Sequence, residues 1–221
     1  MSNRMTIPTR DDVPAALTAL AGLLEYPGAD FDARIARAAA AAPLARFTAA
    51  ISTLTTDERE ELYTATFDVT PACVPYVSIH LFGEENFKRG EFMAGLHARY
   101  AQAGFDCNGE LPDHVAVLLR FAAEADETER RELTEFCLLG PLGKMIVALA
   151  AENPYRPLLE AVREVLQAAY PGVKPAPSPR EQRQQHGADG AAISSGCNCG
   201  RPMDEAALTP ARANHEAISH H

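Results

Sequence analysis

The strongest constraint on the fold is a helical hydrophobic spacing that repeats along the chain between proline and glycine stops. Its first occurrence places apolar side chains three or four residues apart, which gives a helix one buried face. These side chains are Val13, Leu17, Leu20, Leu23 and Leu24. Tyr26-Pro27-Gly28 then ends the segment, because proline and glycine favour turns. The same arrangement recurs to about residue 170, which predicts an all-α protein.

The composition supports this prediction. Hydrophobic residues make up 47% of the 221 residues, which is enough for one sizeable core. Alanine and leucine dominate the apolar set, and tryptophan is absent. Alanine and leucine lose little side-chain freedom in a helix, so the bias favours helices over strands. We therefore expect a single-domain helical bundle.

Local signals set the expected helix boundaries. Thr55 and Glu58 have the form of a capping box, and Gly104 stands at a C-terminal cap. Pro112 is expected in the first turn of a helix, where its missing N–H costs nothing. The predicted helices cover about 12–26, 30–42, 44–54, 55–67, 86–103, 112–121, 127–139, 142–151 and 154–169, with Gly140-Pro141 as a break and Asn153-Pro154 opening the last.

Residues 69–85 differ from the helical segments. Apolar residues alternate with Ser78 and His80, and prolines stand at positions 71 and 75. A lone strand cannot satisfy its backbone groups, so we expect an extended or irregular loop packed against helices.

The chain divides into a helical domain, 1–171, and a tail, 172–221. The tail is rich in Pro, Gly, Ala, Ser, Gln and Arg and has no helical period of any length, which predicts disorder. We expect that removing the tail leaves folding intact.

The net charge of −10 lies entirely in residues 1–171. This balance argues against nucleic acid, whose binders need a basic patch, and suits a basic or neutral partner. The first twelve residues lack the apolar core of a secretory signal, and the most apolar stretch, 136–151, is too short and interrupted to span a membrane. We expect a cytoplasmic protein without stable membrane insertion.

The five cysteines are scattered and odd in number, which is typical of reduced thiols. Cys197 and Cys199, with nearby histidines, are weak candidates for a metal site, since a Cys-x-Cys pair without a second pair is a poor signal.

Two segments carry candidate binding residues. Glu110-Leu111-Pro112-Asp113-His114 is expected to place an acid and an imidazole in a helix first turn at the rim of the domain. The segment 76–85 combines apolar groups with Glu84 and Glu85 beside a glycine, a mixture that suits a peptide with apolar and basic side chains. On the residues alone, ordinary helix-start chemistry for the first segment and a core-packing loop for the second are the favoured explanations.

Taken together, residues 66–123 resemble the TorD/DmsD/NarJ family of redox-enzyme maturation chaperones. Within that family the chain looks closest to the nitrate reductase assembly chaperones. Three motifs carry the resemblance, in the expected order: Leu81-Phe82-Gly83-Glu84, then Arg89-Gly90 followed by Met93 and Leu96, then the acid-x-Pro-Asp-His box at 110–114. Residues 74–84 are richer in apolar residues and proline than in the plain nitrate reductase chaperones. This departure is compatible with a client other than nitrate reductase in the same enzyme superfamily, for example a perchlorate, selenate or hydrocarbon-hydroxylating enzyme, and the residues do not identify its substrate.

The resemblance implies a non-enzymatic chaperone that binds the N-terminal region of a molybdopterin oxidoreductase catalytic subunit. It would hold this client for insertion of molybdenum cofactor, before membrane attachment or export, and carry no cofactor itself. Both a monomer and a dimer are compatible with the family. The positions carried over as client-binding residues are Tyr76, His80, Phe82, Glu84, Glu110, Pro112, Asp113 and His114. Apolar contacts near residues 76–82 would bury the client, and Glu84, Glu110 and Asp113 would contact its basic residues.

Two other functions are compatible with the residues. One is a helical metal- or cofactor-binding protein that uses His80, His114 and the C-terminal Cys and His residues. The other is a hydrolase with an unrecognised site around His114, although the chain has no Gly-rich phosphate loop, G-x-S-x-G or H-E-x-x-H motif.

Overall fold

The computed structural model describes residues 10–185, and all of the regular secondary structure assigned in that range is helical. A 3-10 turn, Arg10–Asp12, leads into the first helix. The α-helices are α1 (Val13–Ala21), α2 (Phe31–Ala41), α3 (Ala45–Ile51), α4 (Thr56–Phe67), α5 (Val77–Phe82), α6 (Phe87–Ala103), α7 (Val115–Glu124), α8 (Glu127–Glu132), α9 (Leu139–Ala148), α10 (Tyr155–Ala169) and α11 (Pro179–Gln185). A π-helical turn, Leu133–Leu138, joins α8 to α9. The prediction of an all-α single domain is confirmed.

Helix α7 forms the centre of the core. All of its residues from Val115 to Ala123 are buried except the half-buried Arg120. A helix that is apolar on almost every side has to be enclosed by others. α1 packs along α7 and also contacts α2 and α10, while α10 packs on α3 and α9. The residues just before α7 are therefore attached directly to the centre of the core.

Two local end signals have the expected geometry. Glu58 N–H donates to Thr55 Oγ1 at 3.3 Å, and Thr55 N–H donates to Glu58 Oε2 at 2.8 Å, so the capping box is present. Gly104 ends α6 in the left-handed conformation with φ 67°, which glycine adopts without strain.

The prediction of an irregular loop over 69–85 is wrong for its second half, which forms α5. Val77 and Leu81 are both buried, and their separation of four residues is helical. Ser78 is also buried, so the polar residue that suggested a strand alternation belongs to the inner face of a short helix.

Helix α7 begins at Val115, not at Pro112 as predicted. Val77 N–H donates to Asp113 O, and Val115 N–H donates to Pro75 O, both at 2.9 Å. These bonds pair residues 113–115 with residues 75–77. The extended backbone in this pairing keeps the helix from starting earlier. The pairing joins segments that are distant in the chain, so no local sequence signal shows it.

The predicted break at Gly140-Pro141 is also wrong, since the backbone stays helical there. Leu139 N–H donates to Thr134 O, five residues back, as in a π-turn. The π-turn passes directly into α9 at Leu139. Pro141 therefore falls in the first turn of α9, where a missing N–H is tolerated.

The predicted absence of a helix in the tail is wrong for α11. Ser178 and Glu181 form a capping box, with Pro179 in the first turn of the helix. Upstream of α11, Ala176 N–H donates to Glu135 O at 3.0 Å, which ties the segment to the π-turn. Residues 186–221, including Cys197 and Cys199, lie outside the described residues. Within 10–185, no helix has the length and apolar character needed to cross a membrane.

Candidate functional site

The two segments nominated by the sequence lie side by side. Tyr76 and His114 form an isolated antiparallel bridge, and their rings meet edge to face with centroids 5.7 Å apart. Tyr76 is the N-cap residue of α5 and His114 the N-cap residue of α7. The bridge therefore brings together two helix starts that are far apart in the chain.

Asp113 lies beneath this bridge, inside the molecule. Its side chain is fully buried, and Oδ2 accepts a hydrogen bond from Ser78 Oγ of α5. Arg89 Nε of α6 donates to the same hydroxyl oxygen at 2.8 Å. The expectation that Asp113 stands at the rim is wrong, because α5 covers it. In this conformation its carboxylate holds α5, α6 and the start of α7 together.

Pro112 is buried as well and anchors the same loop. Its carbonyl oxygen accepts a hydrogen bond from the buried Tyr100 hydroxyl of α6 at 2.8 Å. The box Pro112-Asp113 thus has internal partners on both residues, which fixes the backbone that leads into His114.

His114 is only 3% exposed, so its expected place at the rim is also wrong. Its Nδ1 accepts the N–H of Ala116 at 3.2 Å, which caps α7 and leaves the proton of the neutral ring on Nε2. Burial lowers the pKa of His114 below its ordinary value of 6.5; nearby Glu110 and Asp113 oppose this shift, and Arg120 adds to it. The neutral imidazole is therefore the favoured form in the folded protein.

His114 lines a cavity of about 410 Å³, large enough for a side chain or a small ligand. We call this cavity the tyrosine cleft after its aromatic walls, which are Tyr26, Tyr63, Phe67 and Tyr76. Tyr26 and Tyr63 meet edge to face at 5.4 Å, and Tyr26 is 51% exposed at the mouth. The cleft gathers residues from the α1–α2 connection, α4, the segment before α5, the α6–α7 loop and α7.

Carboxylates surround the aromatic walls of the tyrosine cleft. Glu25, Asp68 and Glu110 all line it, and Arg120 is its one cation among the described residues. Burial raises the pKa of Tyr76, and the negative charges of Glu110, Asp113 and Asp68 raise it further. The cleft therefore combines apolar faces with a negative electrostatic potential, which suits a ligand that is partly apolar and positively charged.

The remaining candidates belong to other surfaces of α5. His80 Nε2 lies 2.8 Å from Val74 O, and His80 lines a separate cavity of about 340 Å³ next to α9 and α11. Phe82 packs on Phe92 of α6 with ring centroids 5.5 Å apart. Glu84 is exposed just after α5. The predicted groove along residues 76–82 is thus divided between the tyrosine cleft, the core and a second cavity.

The described residues offer little to a metal. Within 10–185 no group of three His, Cys, Asp or Glu side chains is placed to hold an ion. His80 and His114, which the metal-binding alternative would use together, line different cavities. The Cys107 thiol does line the tyrosine cleft, but burial raises its pKa and so disfavours the thiolate that metals bind.

Only three of the 14 residues that line the tyrosine cleft were nominated from the sequence, namely Tyr76, Glu110 and His114. Glu25, Tyr26 and Asp68 come from chain segments read as helix ends, and nothing in their local pattern shows that they face Glu110 and His114. The Tyr-Pro-Gly turn at Tyr26 is no signal either, because the tyrosine of the second such turn, Tyr170, is buried.

One family comparison covers most of the helical domain. The model of a family described as nitrate reductase delta subunit matches residues 32–169, which include α4 to α10 and most of the cleft. No curated protein matches the chain.

Proposed function

The chain belongs to the nitrate reductase delta subunit family, and from this premise we propose that it is the assembly chaperone of one molybdoenzyme. It binds the N-terminal region of the catalytic subunit and holds that subunit in the cytoplasm while molybdenum cofactor is inserted. Release then precedes membrane attachment or export. The family match over residues 32–169 is the observation that carries the proposal, because that family takes part in molybdoenzyme assembly.

The geometry supports a holding function at the tyrosine cleft. A chaperone needs apolar faces that bind an unfolded or extended segment and charges that select the correct one. Tyr76, Glu110 and His114 are candidates from the sequence that line the cleft, and we assign them to client contact. Pro112 and Asp113, which are buried with internal partners, act by positioning His114 and Tyr76. His80, Phe82 and Glu84 stay candidates for a second contact around α5.

The test is capture of the client by the full-length chain from cells that make the molybdoenzyme. Bound proteins are identified by mass spectrometry for the parent, for Tyr76→Ala/Glu110→Ala in the cleft, and for Glu164→Gln. Glu164 is exposed on α10 and serves as a control away from the cleft. We expect a molybdopterin catalytic subunit with the parent and the control, and much less with the cleft variant.

A second readout measures the consequence of binding. In cells that lack the chain, the catalytic subunit should accumulate with little molybdenum, and the parent chain should restore its metal content. If the parent captures no such subunit, and the molybdenum content of the enzyme is the same with and without it, the proposed function is wrong.

A further inference from the structure

The last described segment of the chain crosses the surface of the bundle beside α5. We call residues 174–185 the strap, because they run from the π-turn to the end of α5. Ala176 N–H donates to Glu135 O in the π-turn at 3.0 Å, and the strap then forms α11, which contacts α5. A Cβ atom on Gly83, the residue that ends α5, would lie 3.8 Å from Arg180 Nη1. The strap therefore lies directly against the end of α5.

The attachment of the strap is polar and shallow. Of residues 174–182, Ser178 alone is buried, and it is a polar residue. The ion pair between Lys144 Nζ and Glu181 Oε1 is 2.9 Å long, but the two side chains are 38% and 42% exposed. Such a pair contributes little, because water and salt compete for both charges. A segment with few buried apolar contacts detaches at low energetic cost.

The contact between the strap and the underlying helices is also incompletely filled. A cavity of about 340 Å³ is lined by Arg180 and Glu181 of the strap and by Ile79, His80 and Lys144 beneath it. Side chains that border a cavity lose the packing contacts that would otherwise hold the two surfaces together. The strap is thus placed by a few polar contacts and not by a packed interface.

Lys144 of α9 connects the strap to α5. Its Nζ donates to His80 O at 2.9 Å, lies 2.9 Å from Glu181 Oε1 and lies 3.4 Å from Ser178 Oγ. His80 O is one of the last carbonyls of α5, where partners inside the helix run out and a cation is favourable. Glu181 and Ser178 hold the ammonium group in place, so the strap supports the C-terminal cap of α5.

The other end of α5 belongs to the tyrosine cleft. Val77 N–H donates to Asp113 O at 2.9 Å, and Tyr76 lines the cleft. α5 has six residues, and a helix of that length has little stability of its own. Loss of its C-terminal cap therefore affects the whole helix, including the first turn that places Tyr76.

We propose that the strap is a detachable brace for α5. While attached, it holds Lys144 on the end of α5 and keeps the Tyr76 wall of the tyrosine cleft rigid. When it detaches, α5 and that wall become mobile. The coupling is reciprocal, so a ligand that displaces α5 at the cleft also releases the strap. The brace operates in the free chain and does not depend on the proposed function.

The first experiment measures amide hydrogen exchange by NMR in the full-length chain. Ala176 and Gln182 N–H report on the strap, and Val77 N–H reports on the far end of α5, which the strap does not cover. Glu181→Gln removes the charge and keeps a side chain that can complete the capping box. We expect exchange at all three amides to become about twofold to fivefold faster. Glu164→Gln, on the exposed face of α10, should leave the rates unchanged.

A disulfide tests the attached state from the opposite direction. A Cβ atom on Gly140 of α9 would lie 3.8 Å from Pro175 Cβ, a separation that suits a disulfide. Gly140→Cys/Pro175→Cys is compared with itself before and after reduction, and mass spectrometry identifies the bond. We expect the oxidised form to exchange severalfold more slowly than the reduced form at both Ala176 and Val77.

A double-mutant cycle tests whether the coupling passes through Lys144. In the Lys144→Met background the strap has no ammonium group to hold. Glu181→Gln should therefore have no further effect on exchange at Val77. Additive effects of the two substitutions would remove Lys144 as the link between the strap and α5.

Three results would overturn the brace. The first is exchange at Ala176 and Gln182 as fast as in an unstructured peptide, because the strap would then not be attached. The second is an unchanged rate at Val77 in both Glu181→Gln and the oxidised disulfide variant, because α5 would then not respond to the strap. The third is failure of the two introduced cysteines to pair under oxidising conditions, which would contradict the path of the strap over α9.

Discussion

Asp113 and Ser78 are joined by a hydrogen bond inside the protein, although 35 residues separate them in the chain. Oδ2 of the carboxylate accepts the hydroxyl proton, while Oδ1 is buried without a partner among the described residues. Arg89 donates to the same hydroxyl from α6. The bond therefore connects the start of α7 to α5, and it determines where Tyr76 stands at the tyrosine cleft.

We expect Asp113→Ala to lower the free energy of unfolding by about 2–3 kcal/mol, because it leaves the buried Ser78 hydroxyl, which accepts from Arg89 Nε, without an acceptor for its own proton. Ser78→Ala should cost about 1–3 kcal/mol, because it takes the donor from Asp113 Oδ2 and the acceptor from Arg89 Nε. Urea denaturation measures both. Ser52→Ala is the control, since Ser52 is exposed at the end of α3. If Asp113→Ala were as harmless as the control, the buried bond would contribute nothing.

The hydroxyl of Tyr155 is fully buried and has no hydrogen-bond partner among the described residues. Its ring packs on Phe67 with centroids 4.8 Å apart. Tyr155→Phe keeps the ring and removes the unpaired polar atom, so we expect a gain of up to about 1 kcal/mol in unfolding free energy.

Tyr100→Phe is the matched comparison, because its hydroxyl donates to Pro112 O at 2.8 Å. That substitution should cost about 0.5–1.5 kcal/mol. Thermal and urea unfolding of the pair would contradict the assignment if Tyr155→Phe proved the more destabilising of the two.

The segment 173–185 contributes to stability through a few specific contacts. Lys144 Nζ of α9 lies 2.9 Å from Glu181 Oε1, and the hydrogen bond with Lys144 lowers the pKa of Glu181. Ser178 is buried in the same region. A chain that ends at residue 185 should be as stable as the full chain. Ending it at residue 172 should leave a folded protein that has lost about 1–3 kcal/mol.

Denaturation of the two truncated chains beside the full-length protein measures this difference. Equal stability of all three would mean that α11 packs without energetic consequence. A chain that fails to fold when cut at 172 would contradict the sequence-based expectation that the helical domain folds without its tail.

The unfolding free energy should fall as the pH drops below about 6.5. Burial lowers the pKa of both His80 and His114 from the ordinary value of 6.5. In that range the unfolded chain binds protons that the folded chain excludes, so acid favours unfolding. The slope from each histidine is at most about 1.4 kcal/mol per pH unit.

His114→Asn should reduce this slope and retain the helix cap, because asparagine is a preferred N-cap residue. His97→Asn is the control, since His97 is exposed on α6. Urea unfolding between pH 5 and 8 follows both variants. If the slope stays the same in His114→Asn and falls in His97→Asn, the pH dependence does not come from His114 and the prediction is wrong.

The sequence by itself determined the helical class and the features that depend on neighbouring residues. The capping box of Thr55 and Glu58 and the left-handed glycine at 104 involve contacts within about one helical turn. The motifs of residues 66–123 were enough to identify the family, which the match over residues 32–169 confirms. α11 was predictable in the same way, since Ser178 and Glu181 have the capping-box spacing.

Only the tertiary structure decided what the candidate residues face. The burial of Asp113 depends on α5, and the late start of α7 depends on pairing with residues 75–77. The tyrosine cleft joins Tyr26 and Asp68 to His114 from three separate segments of the chain. Helix starts and stops follow from local backbone and capping energies, whereas burial and cavities follow from packing between distant segments, which no local pattern encodes.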